Sequence, residues 1–298
     1  TLLSKFFERG FTNILGIEPS KNISDIALKK GVKTINKFFN KDLKNHINFQ
    51  DKADCILSAN VFNHTDDIRE VLDLVTELLS EDGLLVFEVP YLLDLIKQNA
   101  FDTIYHEHVH YFSVKSLKVI LNQYELEIVK LENIDYMCGS LRVYCQKFSE
   151  ELKEDSQVSM AIKNENIFGL FDIETYEGFM KNIFTMKEKL KKDISNILLE
   201  GGKIIGVGAA TKGNTLLNFS GVKRGLIRNV YDAAPSKQDM FMPGSHIPIK
   251  NPECLITDPP DILLILPWNI SSEVIQNFND LRATGMEFYT AIPELRKL

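Results

Sequence analysis

Several features that would assign this sequence to a common protein class are missing from it. No apolar run approaches the ~18 residues that a membrane-spanning helix needs, and no membrane association is expected. No C-x-x-C pair occurs. Cys55, Cys138, Cys145 and Cys254 are scattered, which provides neither a zinc site nor a disulfide framework and suits a reducing cytoplasm. The net charge is −7 with no long basic tract, which argues against a general nucleic-acid binder. The opening "TLLSKFFERG" carries charge where a secretory leader would have its apolar core. What remains is ordinary for a globular chain: 298 residues, enough for two domains, with 44% apolar and 25% charged side chains.

Strand and helix patterns alternate along the first half. "TNILGIEP", "KTINKFF", "ADCILSAN" and "GLLVFEVP" read as strands. "SKNISDIALKKGV" reads as a helix capped by Asn22 or Ser24, and "TDDIREVLDLVTELLSEDG" as one capped by Thr65 and ended by Gly83. "SVKSLKVILNQY" is a helix capped by Ser113, and "LEIVKLEN" and "SLRVYCQK" read as a closing, hairpin-like pair. This alternation predicts a doubly wound parallel sheet over residues 1–149. Residues 150–200 read as a helical connector ending at Gly201 and Gly202. A second, Rossmann-like α/β unit over 201–298 follows from "KIIGVGAATKGNTLLNFSGV", "LIRNVYDAAPSKQ" and "DILLILPWNI". The chain starts on Thr1 inside an amphipathic helical pattern, and an upstream part carrying the first strand and its glycine loop is expected.

"YHEHVHYFS", residues 105–113, places His106, His108 and His110 within five positions, with Tyr105 and Glu107 among them. In a strand the three histidines would share a face and could hold zinc. In a loop, Glu107 beside His108 would serve proton transfer instead, and composition favours acid–base chemistry over a metal. Tyr111 and Lys115 have the Y-x-x-x-K spacing of short-chain dehydrogenases, a match common by accident. "GIEPS" ends a strand on Glu18, with Pro19 stiffening the turn; a carboxylate there could accept from a ribose, although on spacing alone a surface glutamate is the plainer reading. "SANVFNHTDD" puts Asn60 and His64 on a loop after a strand. In the second half, "GVGAATKGN" offers Gly206 and Gly208 for a tight turn, then a helix N-terminus with Lys212 and Asn214, and Asp232 ends the next strand. On motif grounds alone that turn would take NAD. Trp268 lines the cleft between the halves or joins the core; the sequence leaves both open.

Six blocks, "GIEPSKNISDIALKKGVKTINKFF", "SANVFNHTDDI", "YHEHVHYFSVKSL", "CGSLRVY", "GAATKGNTLLNF" and "LILPWNI", follow the order and spacing of the S-adenosylmethionine-dependent C-methyltransferases of nucleotide-linked keto-deoxysugars, which this chain resembles over nearly its whole length. The resemblance implies a class I methyltransferase-like sheet lacking its first strand, then a Rossmann-like domain. It implies S-adenosylmethionine as cofactor, held by Glu18, Pro19, Phe38 and Asn60. Zinc would belong only to an N-terminal module outside this sequence. It places His64, Tyr105, Glu107 and His108 around the sugar, with His108 the favoured base. Gly139 and Ser140 would belong to a loop closing the pocket. Gly206, Gly208, Lys212, Asn214 and Asp232 would hold the nucleotide diphosphate of the sugar. The alternatives are a NAD-dependent oxidoreductase or epimerase, and an inactive fragment that binds a nucleotide sugar.

Overall fold

Two sheets, joined through a pair of helices, account for the alternating pattern of the sequence. The computed structural model describes residues 2–298 apart from 49, 137, 153–154, 256–258 and 281–284. The chain begins with α1 (Leu2–Glu8), β1 (Gly16–Ile17), α2 (Lys21–Lys29) and β2 (Thr34–Ile35). β1 and β2 pair in parallel as a small sheet of their own and do not join the next strand. β3 (Ala53–Ala59), α3 (Ile68–Leu78), β4 (Leu79–Pro90), α4 (Leu92–Lys97), α5 (Val114–Asn122), β5 (Leu126–Ile134) and β6 (Ser140–Lys147) follow. They give a four-stranded sheet of order β3-β4-β6-β5.

The expected parallel pairing holds for β1 with β2 and for β3 with β4, and β5 and β6 form the expected hairpin-like pair; the departure is that β6 also runs antiparallel beside β4. The short connection between β5 and β6 permits only antiparallel neighbours. Two predicted caps also move. The side chain of Asp67, not Thr65, accepts from the first-turn N–H groups of Arg69 (3.0 Å) and Glu70 (3.2 Å). Thr65 instead donates its hydroxyl to the Val61 carbonyl. Gly83 lies inside β4 and ends no helix, and Asn22 and Ser24 lie inside α2, with Ser20 at its N-cap.

The predicted connector is two helices, α6 (Ser156–Phe168) and α7 (Ile173–Leu199), separated at Gly169, whose φ of 76° makes the left-handed C-cap. Fully buried Glu165 on α6 reaches the N-terminus of α5. Its carboxylate accepts from the backbone N–H of Val114 (2.6 Å) and Lys115 (3.2 Å) and from the Tyr91 hydroxyl (3.0 Å). Anionic oxygens at a helix N-terminus satisfy donors that the helix itself leaves open.

The second half contains β7 (Ile204–Val207), α8 (Thr211–Phe219), β8 (Val230–Tyr231), β9 (Ile249–Lys250), β10 (Ile262–Ile265), α9 (Ser271–Asn277), β11 (Glu287–Thr290) and β12 (Arg296–Lys297). Its sheet has the order β12-β11-β10-β7-β8-β9 and is parallel except at β12. Every residue of β7 and β10 is buried, which is why both read as unbroken apolar runs. One apolar cluster runs from Leu72, Phe87 and Val143 through Ile183 and Ile194 of α7 to Leu216 and Leu264. The halves therefore share a core, and the Phe101 and Phe219 rings meet across it at 5.0 Å.

Candidate active site

Residues 105–113 form a loop, not a strand. The three histidines consequently part company: His106 is exposed, His110 half-buried and His108 buried. Among the described residues no group of three histidine, cysteine or acidic side chains converges as a metal site would require. The loop is fastened to its neighbour by the Asn63 carbonyl, which accepts from the N–H of Val109 (2.9 Å) and His110 (3.4 Å).

His108 is oriented on both sides. Its Nδ1 lies 2.8 Å from the Thr103 carbonyl oxygen, an acceptor only, so Nδ1 carries the hydrogen and Nε2 keeps its lone pair. The Tyr105 hydroxyl, 2.9 Å away, donates to that Nε2. Burial lowers the pKa of His108; the Thr103 bond opposes this, while the fields of His64 and Lys212 add to it. A neutral imidazole with a fixed tautomer is a general base at neutral pH. Burial pushes the Tyr105 phenol up to about 12, so it stays a donor. The His64 ring sits edge-on to His108 with centroids 4.9 Å apart. Glu107 is exposed and acts on His108 only through its charge.

The second half closes the other side of the cluster. The Trp268 indole N–H donates to Asp102 Oδ2 at 2.8 Å, and the Lys212 ammonium stands 5.4 Å from the Trp268 ring centre. Trp268 thus bridges the halves, and the choice left open by the sequence falls to the cleft. Asp102 is buried, which raises its pKa to about 6 against the opposing pull of Lys212 and the Trp268 bond. Several buried polar atoms here have no partner: Asn60 Oδ1, both side-chain polar atoms of Asn63, Asp102 Oδ1, His110 Nε2, Lys212 Nζ and Asn214 Oδ1. Orphaned buried polar atoms are rare in folded proteins, and a bound polar ligand is one way to complete them. Asn63 and Asp102 had no role in the sequence reading, and His110 entered it only as a possible zinc ligand. The only signal for the first two was adjacency: Asn63 precedes His64, and Asp102 lies just before Tyr105 and the histidine run.

The remaining predicted residues divide. Glu18 ends β1 with one carboxylate oxygen accepting from the Ser20 N–H (2.8 Å), while Asn36 donates to the Glu18 and Pro19 carbonyls. Asn60 has a φ of 53° and presents its orphaned oxygen, and Phe38 is 67% exposed. An acid at a strand end, an unpaired amide oxygen and an uncovered aromatic ring fit the ribose, amino-acid and adenine parts of S-adenosylmethionine. Gly139 and Ser140 serve their own loop. Gly139 has a φ of 103°, and a Cβ there would lie 2.3 Å from Asp94 Oδ2; the Ser140 hydroxyl donates to the Tyr136 carbonyl.

The glycine turn is held by its own neighbours. A Cβ on Gly208 would come within 2.5 Å of Pro267, and one on Gly206 within 3.0 Å of Val230. Asp232 is engaged with the turn. Its Oδ2 accepts from the Ala209 N–H (2.7 Å) and its Oδ1 from the Ala234 N–H (2.8 Å), tying the turn shut with Lys237, which donates to the Ala209 carbonyl. The open donors in this region are at the start of α8, beside Lys212.

Two family models match the chain. Residues 1–131 match the model for a methyltransferase domain, and residues 135–293 that for the C-methyltransferase C-terminal domain. C-methyltransferase NovU of Streptomyces niveus is 32% identical over 293 residues, covering 98% of this chain and 70% of that protein. Among solved structures, an S-adenosylmethionine-dependent methyltransferase from Thermotoga maritima aligns over 49% of this chain and 78% of its own, at 16% identity and a TM-score of 0.39. The N-methyltransferase NodS of Bradyrhizobium japonicum with S-adenosyl-L-homocysteine aligns over 45% and 66%, at 14% identity and a TM-score of 0.34. Likenesses of that size say nothing of this chain's chemistry.

Proposed function

This chain belongs to the C-methyltransferase family, as an S-adenosylmethionine-dependent enzyme, and from that premise we propose that it methylates the carbon next to the ketone of a nucleotide-linked 4-keto-deoxysugar, with His108 as the base. The observation that carries this reading is the buried His108, fixed in one tautomer by Thr103 and lying in the fields of His64 from the first half and Lys212 from the second. A carbon becomes a nucleophile towards a methyl group most readily as an enolate, and an enolate needs a base and a partner for its oxygen.

The sugar ring turns the Tyr105 phenol aside and presents its hydrogen to Nε2, whose lone pair the Thr103 bond keeps available. The displaced phenol then donates to a sugar oxygen, and His64 closes the far side. Glu107, at the mouth, steadies the imidazolium that forms. S-adenosylmethionine, when bound near Glu18, Pro19, Phe38 and Asn60, supplies an electrophilic methyl group whose bonding pair leaves with sulfur. The nucleotide diphosphate is taken by the second half of the chain. A methyl transfer needs no hydride carrier, which sets this reading ahead of the NAD one.

The test is His108→Asn. The amide keeps much of the size and hydrogen bonding of the ring but cannot take a proton at neutral pH. We expect turnover to fall by about 10²- to 10⁴-fold, with S-adenosylhomocysteine affinity by calorimetry unchanged. Unchanged turnover would remove His108 from the mechanism.

A further inference from the structure

We propose that Lys212, carried by the second half of the chain, holds the ketone oxygen of the substrate while its charge develops, and is therefore a catalytic residue and not an anchor for the diphosphate. This rests on the substrate reading given above and assigns one group of that substrate to one side chain.

Three observations point this way. Lys212 is 6% exposed, and among the described residues its ammonium has no hydrogen-bond partner, only the field of Asp102 and the face of Trp268. A buried ammonium whose N–H groups are left unbonded is costly, and a ligand oxygen that accepts from it removes that cost. The second observation is position. Trp268, under the ammonium, is fixed by Asp102, and the next residue, Thr103, fixes His108. Consecutive residues thus set the platform of Lys212 and the tautomer of the base. The third is the chemistry of its neighbours. Another orphaned atom in its field, Asp102 Oδ1, is an acceptor. An anionic diphosphate would confront it with like charge. A ketone with a hydroxyl on one neighbouring carbon matches both: the carbonyl accepts from Lys212, and the hydroxyl donates to Asp102.

The step balances within these groups. The C–H bond next to the ketone breaks and its proton goes to His108 Nε2. Its electron pair forms the C=C bond, and the former C=O pair moves to oxygen, where the ammonium offsets the charge. When that carbon takes the donor's methyl group, the pairs return and the oxygen is a ketone again. The proton leaves His108 to water.

The experiment follows deuterium uptake from D2O into the carbon beside the ketone, by NMR, without methyl donor. The probes are the thymidine and uridine diphosphate 4-keto-6-deoxy sugars. Wild-type protein should catalyse the exchange with one of them. Lys212→Met should slow both exchange and kcat by about 10²- to 10³-fold, the size found when an oxyanion donor is removed. Affinity for thymidine or uridine diphosphate without the sugar should stay within about twofold. Because no hydrogen bond to the ammonium is lost, the variant should stay folded. Exchange that persists in Lys212→Met, or a tenfold loss of nucleoside diphosphate affinity with kcat intact, overturns the assignment. So does a variant that unfolds, since Lys212 would then be structural. No exchange by wild type with either probe overturns the substrate reading itself, a different failure.

Discussion

At the scale of single residues, protonation decides activity. His108 must be neutral to accept a proton, and burial holds its pKa below the usual 6.5. The acid limb of kcat/KM against pH should therefore fall below 6.5; a limb above that value would contradict the buried-base assignment. The same shift bears on stability. A histidine with a lowered folded pKa contributes stability above its unfolded value, lost as pH falls below about 6.5. Asp102, raised to about 6, has the opposite sign: its contribution is present below its unfolded value near 3.8 and lost as pH rises towards 6. Tyr105→Phe removes a donor but leaves the base, so turnover should drop by only about 10- to 100-fold, well short of His108→Asn. A loss equal to that of His108→Asn would mean that the proton passes through the phenol. The sequence made His108, Tyr105 and His64 legible because they crowd two short loops. Asp102 and Asn63 were not, since a buried aspartate and a buried asparagine look like surface residues until the fold shows what covers them.

At the scale of elements, the fold positions its site through caps and glycines more than through the strands that the sequence displays. Glu165→Ala would strip three donors of their acceptor at once. Leaving buried N–H groups and a phenol unsatisfied should cost about 3 kcal/mol, measured by denaturant unfolding; a loss under about 0.5 kcal/mol would mean that water replaces the carboxylate. The sequence could not reveal this contact, because 51 positions separate Glu165 from Val114. Gly208→Ala tests the role of the glycine turn. With a φ of 85° and Pro267 at 2.5 Å from the new Cβ, the turn must shift and carry Trp268 with it. Stability should fall by about 1–3 kcal/mol and turnover with it, while nucleoside diphosphate affinity changes little. A selective loss of that affinity would support the phosphate role that the motif suggested. The strands were readable as apolar runs. The hairpin-like pairing of β5 with β6 was legible too, but not the insertion of β6 antiparallel beside β4, which no local pattern records.

At the scale of the whole molecule, the proposed base comes from the first half, while Lys212 and Trp268 come from the second. Their shared core makes the site a property of both. The first sheet is open in one place: β1 and β2 stand apart from β3, whose Cys55 and Ala59 are exposed. We propose that a strand outside this sequence fills that gap and helps to hold the cofactor. Calorimetric titration with S-adenosylhomocysteine should then show weaker binding to this chain than to one extended upstream; equal affinity would mean that Glu18, Phe38 and Asn60 suffice. The central claim, carbon methylation beside a sugar ketone, has a more direct test. The protein is incubated with S-adenosylmethionine and the thymidine or uridine diphosphate 4-keto-6-deoxy sugar, and the product is analysed by mass spectrometry and NMR. A single added methyl group bonded to the carbon next to the ketone is the predicted result. A methyl group on oxygen, or none on either sugar while the protein binds S-adenosylhomocysteine, would contradict it.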